Sequence, residues 1–287
     1  MNMNKKSTKD RAQIIRCLIE GNSIRSTVRM TGASKNTIVK LLAEVGEACE
    51  VYQYKTLTNL PCEVVQVDEI WSFVYSKQKN VGKLKTEKAA GEAGDMWTWT
   101  AICARTKLVA AWYVGSRDAG AAKMFIDDLA HRLANRIQLT SDGHKAYLKA
   151  VAGAFGNKID YAMLVKLYGP DPEQEKRYSP SEFVATEVKV ICGNPDPDNI
   201  STSYAERNNL TMRMGMRWFT RLTNGFSKKV DNHIHAISLH FMYYNFCRIH
   251  STIKTTPAME AGIVTRIFSL EDVIRLSDDY WKDRNSN

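Results

Sequence analysis

The sequence predicts an α/β protein, a mixed β-sheet flanked by helices, preceded by an all-α segment. Three observations carry this reading. In the first fifty residues, apolar positions recur at helical spacing and are interrupted by short turns containing glycine. After Pro61 the chain becomes rich in β-branched and aromatic residues with period-two alternation. Further on, strand-like runs alternate with amphipathic helices, the pattern of a sheet covered by helices.

Composition narrows the possible functions. A chain of 287 residues, 44% hydrophobic and 25% charged, has enough apolar material for a sizeable core and is not a disordered sequence. The net charge of +9 favours a polyanionic partner. Six scattered cysteines form no Cys-x-x-Cys pair, so no zinc is expected, and they read as reduced thiols of a cytoplasmic protein. "MNMNKKSTKDR" lacks the apolar core of a secretory signal. No run of about 18 apolar residues is present, so no membrane partner is expected.

The first element spans about residues 10–20, with Asp10 as its expected cap, Ile14, Ile15 and Leu18 inward, and Gly21 as its stop. Ser23 caps a second helix that buries Ile24 and Val28. "TGAS" is a tight turn with Gly32 free to take positive φ, and Ser34 caps a third helix with Ile38, Leu41, Leu42 and Val45 on one face. This is helix-turn-helix patterning over residues 1–50, with 51–61 as a linker. The first exposed turn of its third helix offers Lys35, Asn36, Thr37 and Lys40, donors suited to phosphates and base edges. A plain packing or dimerisation bundle has the same pattern.

"CEVVQVDEIWSFVYS" is mostly apolar on both faces and reads as a central strand. Asp68 therefore needs either a buried basic partner or a bound cation, since an unpaired buried carboxylate costs several kcal/mol, roughly. Alternation sends Glu69 to the opposite face, away from the site of Asp68. "MWTWTAICAR" and "KLVAAWYVG" form an antiparallel pair, and "SRDAGAAKMFIDDLAHRLAN" is a helix with Ala122, Phe125, Leu129 and Leu133 inward. "RIQLTSDGHKAY" places Asp142 at the end of a short strand, as a site residue or as the N-cap of the following helix. "KIDYAMLVKLYG" is a further strand. Residues 168–200 hold seven acids against three bases and five of the seven prolines, and are expected to be an irregular insertion.

The last helical stretch opens with "YAERNNLTMRMGMRWFTRL". Glu206 is its one acid, followed by Arg207, Arg213, Arg217 and Arg221, and then Lys228 and Lys229. Arg213, Arg217 and Arg221 recur every four residues, so one continuous helix would align them on a face suited to backbone phosphates. Trp218 and Phe219 are expected in the core, with stacking of one of them on a flipped base as the alternative. His233, His235 and His240 read as packed or surface histidines rather than metal ligands, since His233 and His235 diverge on a helix.

Three strands, helix, strand, helix, strand, insertion, helix is the element order of an RNase H-like fold. "QVDEIWSFV", "TSDGHKAY" and "YAERNNLTMR…RLTNGFSKK", in this order, together with "YYNFCRIHSTIKTTPAMEAG", resemble the DDE transposases of the insertion sequence one family over roughly residues 60–257. The resemblance implies an RNase H-like DDE catalytic domain over residues 62–257 and leaves 258–287 as a C-terminal helical tail. Asp68, Asp142 and Glu206 become its catalytic, metal-binding triad, at spacings of 74 and 64 residues. Phosphodiester cleavage with two Mg²⁺ about 3.5–4 Å apart needs few carboxylates, because Mg²⁺ retains waters, and Mn²⁺ can substitute. Asp68 would bridge both ions, with Asp142 and Glu206 holding one each.

The implied activity is that of an insertion-sequence transposase. It would bind terminal inverted repeats, cleave 3′ ends and transfer them to target DNA, as a homo-oligomer on double-stranded DNA in the nucleoid. Arg248 and His250 match the recurrent ending and are candidate DNA contacts, with structural hydrogen bonding as the alternative. Better-known members carry Cys-pair zinc binding near the N-terminus. This chain lacks it, so its helix-turn-helix would read the element ends unaided. Two other readings stay open, a nuclease of the same fold without strand transfer and a catalytically silent DNA-binding repressor.

Overall fold

β1 (Val64–Val74) lies inside a six-stranded sheet of order β3-β2-β1-β4-β5-β6. The computed structural model describes residues 5–84, 93–168, 183–220 and 224–286. β2 (Gly94–Cys103) and β3 (Val109–Gly115) form an antiparallel hairpin on one side of β1, with Asp68 opposite Thr100. β4 (Ile137–Ser141) and β5 (Ile159–Tyr168) run parallel to β1 on the other side. Each parallel step is made through a helix, α5 (Ala119–Arg132) and α6 (Ala146–Phe155), because parallel neighbours need a long crossover. A mixed sheet with this order and helical cover is compatible with the RNase H-like fold.

β6 (Phe183–Cys192) corrects the expectation of an irregular insertion over 168–200. It pairs antiparallel with β5 from Tyr161 to Tyr168 and forms the sheet edge. The acids and prolines that suggested a loop flank a β-branched run, "FVATEVKVIC", whose Val184, Val188 and Val190 are exposed. An edge strand with little burial shows weak period-two patterning, and that hid it. Residues 169–182 of the expected insertion lie outside the described residues.

At the N-terminus, α1 (Thr8–Ile19), α2 (Ile24–Thr31) and α3 (Lys35–Thr56) follow the expected breaks. Ser23 and Ser34 cap α2 and α3, and Gly32 takes φ 66°. The cap of α1 is Ser7, not Asp10. The Ser7 hydroxyl accepts from the Asp10 amide and donates to the Asp10 carboxylate, a reciprocal arrangement that Asp10 alone cannot make. α3 continues through Thr56, so most of the expected linker is helix.

The three helices share one core with the sheet. Gly46 lets α3 approach α8 (Val230–Met242) closely, since a Cβ there would lie 2.4 Å from His235 Cβ. Ser238 Oγ donates to Gly46 O at 2.8 Å, and Gln53 Nε2 donates to Ser238 O at 3.0 Å. The C-terminal α10 (Leu270–Ser286) holds α1 through a two-bond pair from Arg11 to Asp278, and α3 through Trp281 Nε1 to Glu44 O. Two one-turn helices, α4 (Gln78–Val81) and α9 (Pro257–Glu260), complete the α-helices among the described residues beside α7 (Ser203–Gly215), whose position bears on the site.

Candidate functional site: a carboxylate cleft with a basic rim

α7 (Ser203–Gly215) is fixed to the sheet by a side chain of β1. The buried Gln66 accepts through Oε1 from the amides of Tyr204 (2.7 Å) and Ala205 (3.2 Å), two of the free N–H groups at the helix start. This sets α7 across β1. Thr202, Glu206, Asn209 and Arg213, spaced four, three and four apart, then line one cleft with Asp68, Glu69 and Asp142. The cleft encloses about 780 Å³ and also takes in Arg117, His144 and Lys166.

One carboxylate oxygen from each of Asp68, Glu69 and Asp142 lies within 4.8 Å of the others. Among the described residues Asp68 has no basic partner, so no buried salt bridge there explains it. Its Oδ2 accepts from Asn209 Nδ2 at 2.8 Å and its Oδ1 from the Glu69 amide at 2.8 Å. Burial pushes the Asp68 carboxyl up to about 7, and the charges of Glu69, Asp142 and Glu206 push the same way against the Glu69 amide bond. Asp142 follows β4 directly and accepts from the His144 amide at 2.9 Å. It does not cap α6, whose N-cap is Lys145.

Glu69 corrects the alternation argument. β4 pairs with β1 only over Val64–Gln66, so beyond that point this edge of β1 has no neighbouring strand. Side chains from both faces can reach round it towards Asp142. Glu69 is fully buried and engaged at both oxygens. Arg117 Nε donates to Oε1 at 2.7 Å and the Tyr147 hydroxyl to Oε2 at 2.9 Å. Tyr147 itself stays protonated, because burial and the Glu69 charge both raise it.

Glu206 lines the cleft but stands outside the three-acid cluster. Its Oε1 accepts from Thr202 Oγ1 at 2.6 Å and pairs with Lys166 of β5. The structure therefore groups Asp68 tightly with Asp142 and leaves Glu206 across the opening, half exposed. The cluster consists of hard oxygen donors, with no cysteine or histidine ligand atom in it, and the buried Asn209 Oδ1 beside it has no hydrogen-bond partner. Such a donor set fits a divalent cation that prefers oxygen.

The single arginine face is also corrected. α7 ends at Gly215, Met216 is extended (φ −123°, ψ 114°), and Arg217–Phe219 make one 3₁₀ turn. Arg213 and Arg217 thus belong to different elements. Arg213 lines the cleft, while Arg217 is exposed elsewhere. Arg221 lies outside the described residues. The turn is held because Met216 and Phe219 are buried, with Phe219 stacked at 5.3 Å on His233. Arg207, Lys228 and Lys229 are exposed.

Lys35, Asn36, Thr37 and Lys40 are all exposed along the start of α3, with Lys40 within 3.7 Å of Glu44. Arg248 is exposed, whereas His250 packs its ring on Tyr244 at 4.4 Å and bonds the Tyr244 carbonyl. Much of the "YYNFCRIHSTIKTTPAMEAG" stretch has a structural task. Buried Asn245 bonds both backbone groups of Val109 at the start of β3, and Thr256 caps α9. His233 is buried and bonds Ser72 of β1 at 2.9 Å. Asn209, three residues from Glu206 on a helix, had a legible signal in its spacing. Gln66, Glu69, Arg117 and Tyr147 had none, since their roles depend on which elements meet.

No family model matches this chain, and no curated protein matches it. A solved structure of a piggyBac transposase synaptic complex with hairpin DNA is similar over 100% of this chain and 76% of its own, at 8% identity and a TM-score of 0.41. A likeness that slight carries no argument. Among the described residues, no helix is long and apolar enough to cross a membrane.

Proposed function

We propose that this chain is a metal-dependent DNA transposase of the DDE type, with an RNase H-like catalytic domain and a helix-turn-helix formed by α1–α3. The carrying observation is the convergence of Asp68 and Asp142, with no basic partner for Asp68 among the described residues, in a cleft rimmed by Glu206, Lys166, Arg213 and Arg117. A carboxylate floor with a basic rim suits a phosphodiester, whose charge the rim attracts and whose reacting phosphate would meet cations at the floor.

Asp68, Asp142 and Glu206 are the residues that would hold Mg²⁺ or Mn²⁺. When bound, such ions make water a better nucleophile and stabilise the leaving oxygen. Asn209 orients Asp68 through its amide, and the Glu69–Tyr147 bond braces the next residue of the same strand. Glu69 serves as a brace rather than a ligand because it is fully buried and already neutralised by the Arg117 guanidinium, whereas Asp68 accepts, among the described residues, only from neutral amides. Lys166 and Thr202 hold Glu206 at the rim, ready to exchange a lysine for a cation. The exposed first turn of α3 would read the ends of the element, and Arg213 and Arg217 would bind backbone phosphates. The resemblance to the insertion sequence one family suggests that the 3′ ends so cut are joined to target DNA.

The test is cleavage and joining of element-end DNA with Mg²⁺ or Mn²⁺, comparing the wild type with Asp142→Ala and Glu206→Gln. Both variants are expected to bind DNA without cutting it. Cutting without joining would reduce the reading to a nuclease, and binding without chemistry in the wild type would reduce it to a repressor. Undiminished cutting by Asp142→Ala would remove the triad.

A further inference from the structure

Arg117 is a basic residue of the cleft whose geometry is only half used. It follows β3 and lines the same space as Asp68, Asp142 and Glu206. Its Nε donates to Glu69 Oε1 at 2.7 Å, and its guanidinium carbon lies 4.6 Å from the Trp97 ring centroid. Glu69 is held in turn by Tyr147, whose hydroxyl donates to the other oxygen. One nitrogen and one ring thus fix the plane of the guanidinium. Neither Nη has a hydrogen-bond partner among the described residues, and the side chain is 41% exposed. An arginine present only to neutralise Glu69 would gain from a two-nitrogen pair with it. Here one nitrogen serves the carboxylate and the other end of the fork is left towards the cleft.

We infer that Arg117 forms a phosphate subsite, its two Nη groups taking a backbone phosphate of the DNA strand that lies across Asp68 and Asp142. The inference rests on the nucleic-acid reading of this cleft. A phosphate matches the fork with two parallel N–H···O bonds, and an arginine already fixed by Glu69 and Trp97 loses little freedom on binding. The carboxylate floor would otherwise repel the strand, and Arg117 is the cation that the β1–β3 wall offers against it. Lys166 is already paired with Glu206, and Arg213 stands on the opposite, helical wall.

The experiment uses the full chain and a short random-sequence duplex, with affinity measured over a KCl series for the wild type, Arg117→Ala and Arg117→Lys. Lysine keeps a cation beside Glu69 but has no fork to reach a phosphate as well. Both variants are expected to lose about 0.9 from the slope of log affinity against log salt, the effect of one phosphate contact. In Arg117→Lys, which keeps a cation beside Glu69, Mn²⁺ binding measured by calorimetry should stay unchanged and the melting temperature should match the wild type. If the wild type binds the duplex and both variants keep its slope, Arg117 contacts no phosphate and the inference fails alone. A lost slope accompanied by a fall in melting temperature in Arg117→Lys as large as in Arg117→Ala would give the loss to the Glu69 pair and also overturn it. If the wild type binds no DNA, the functional reading fails and takes the inference with it.

Discussion

The two walls of the cleft are built differently. On the sheet wall, Asp68 and Glu69 sit on β1, Asp142 follows β4, and each is held by hydrogen bonds to neighbouring buried or backbone groups. The helical wall carries Glu206 on a helix whose start is fixed through Gln66, but the carboxylate itself is half exposed and held by a lysine and a threonine. A strand in mid-sheet cannot move without breaking its ladders, so the sheet wall keeps its acids close despite their repulsion. The helical wall can exchange side-chain partners. Preorganisation therefore belongs to the sheet and adaptability to the helix.

Substitutions can separate the walls, beginning with the largest effect. Asp142→Ala should lower cleavage by about 10³-fold or more, the several kcal/mol that bound metal ions supply, in a gel assay where DNA binding is retained. Activity close to the wild type would remove the sheet wall from the chemistry.

The packing of α8 against the sheet should be acid-sensitive. His233 of α8 bonds Ser72 of β1, and burial holds its imidazole down at about 4. Its folded-state value lies below the unfolded value, so the unfolded chain binds the proton more readily. This contribution is complete above about pH 6.5 and is lost as pH falls from there to about 4, roughly 3 kcal/mol for this group. Urea titrations at pH 7 and pH 4.5 should show the loss, and His233→Gln should reduce it. An equal loss in the variant would place the sensitivity elsewhere, for example at the buried His240, also held down at about 4.

Within the sheet wall, adjacent acids should respond in opposite directions. Glu69→Ala removes the partner of Tyr147 and Arg117 and should cost about 3 kcal/mol, at the lower end for a buried pair because Arg117 is partly exposed. Asp68→Asn removes a charge repelled by Glu69 and Asp142, and should stabilise the metal-free protein by about 1 kcal/mol while abolishing chemistry. Thermal melting without divalent ions compares them directly. If Asp68→Asn is the more damaging of the two, their roles have been exchanged.

The smallest effect belongs to the helical wall. Lys166→Ala breaks a half-exposed pair and should change stability by less than about 1 kcal/mol. A larger loss in denaturant titration would mean that Glu206 is as firmly held as the acids opposite it.

Much of this molecule follows from local rules that the sequence expresses by itself. Alternation and β-branching placed β1 to β5, serines placed the caps of α2 and α3, and Gly32 placed the turn between them, because each depends only on neighbours along the chain. The positions of Asp68 and Asp142 within their elements were legible for the same reason. Three features required the tertiary structure. β6 became a strand by pairing with β5, not by its own pattern. The arginine series divides at Met216 because Met216 and Phe219 are buried against other elements, which ends the helical spacing that the series implied. Glu69 joined Asp68 because β4 stops pairing at Gln66, leaving an open edge that period-two alternation along one strand cannot register. Spacing along a chain decides which face a side chain leaves from. The neighbours that end, break or cover that element decide where it arrives.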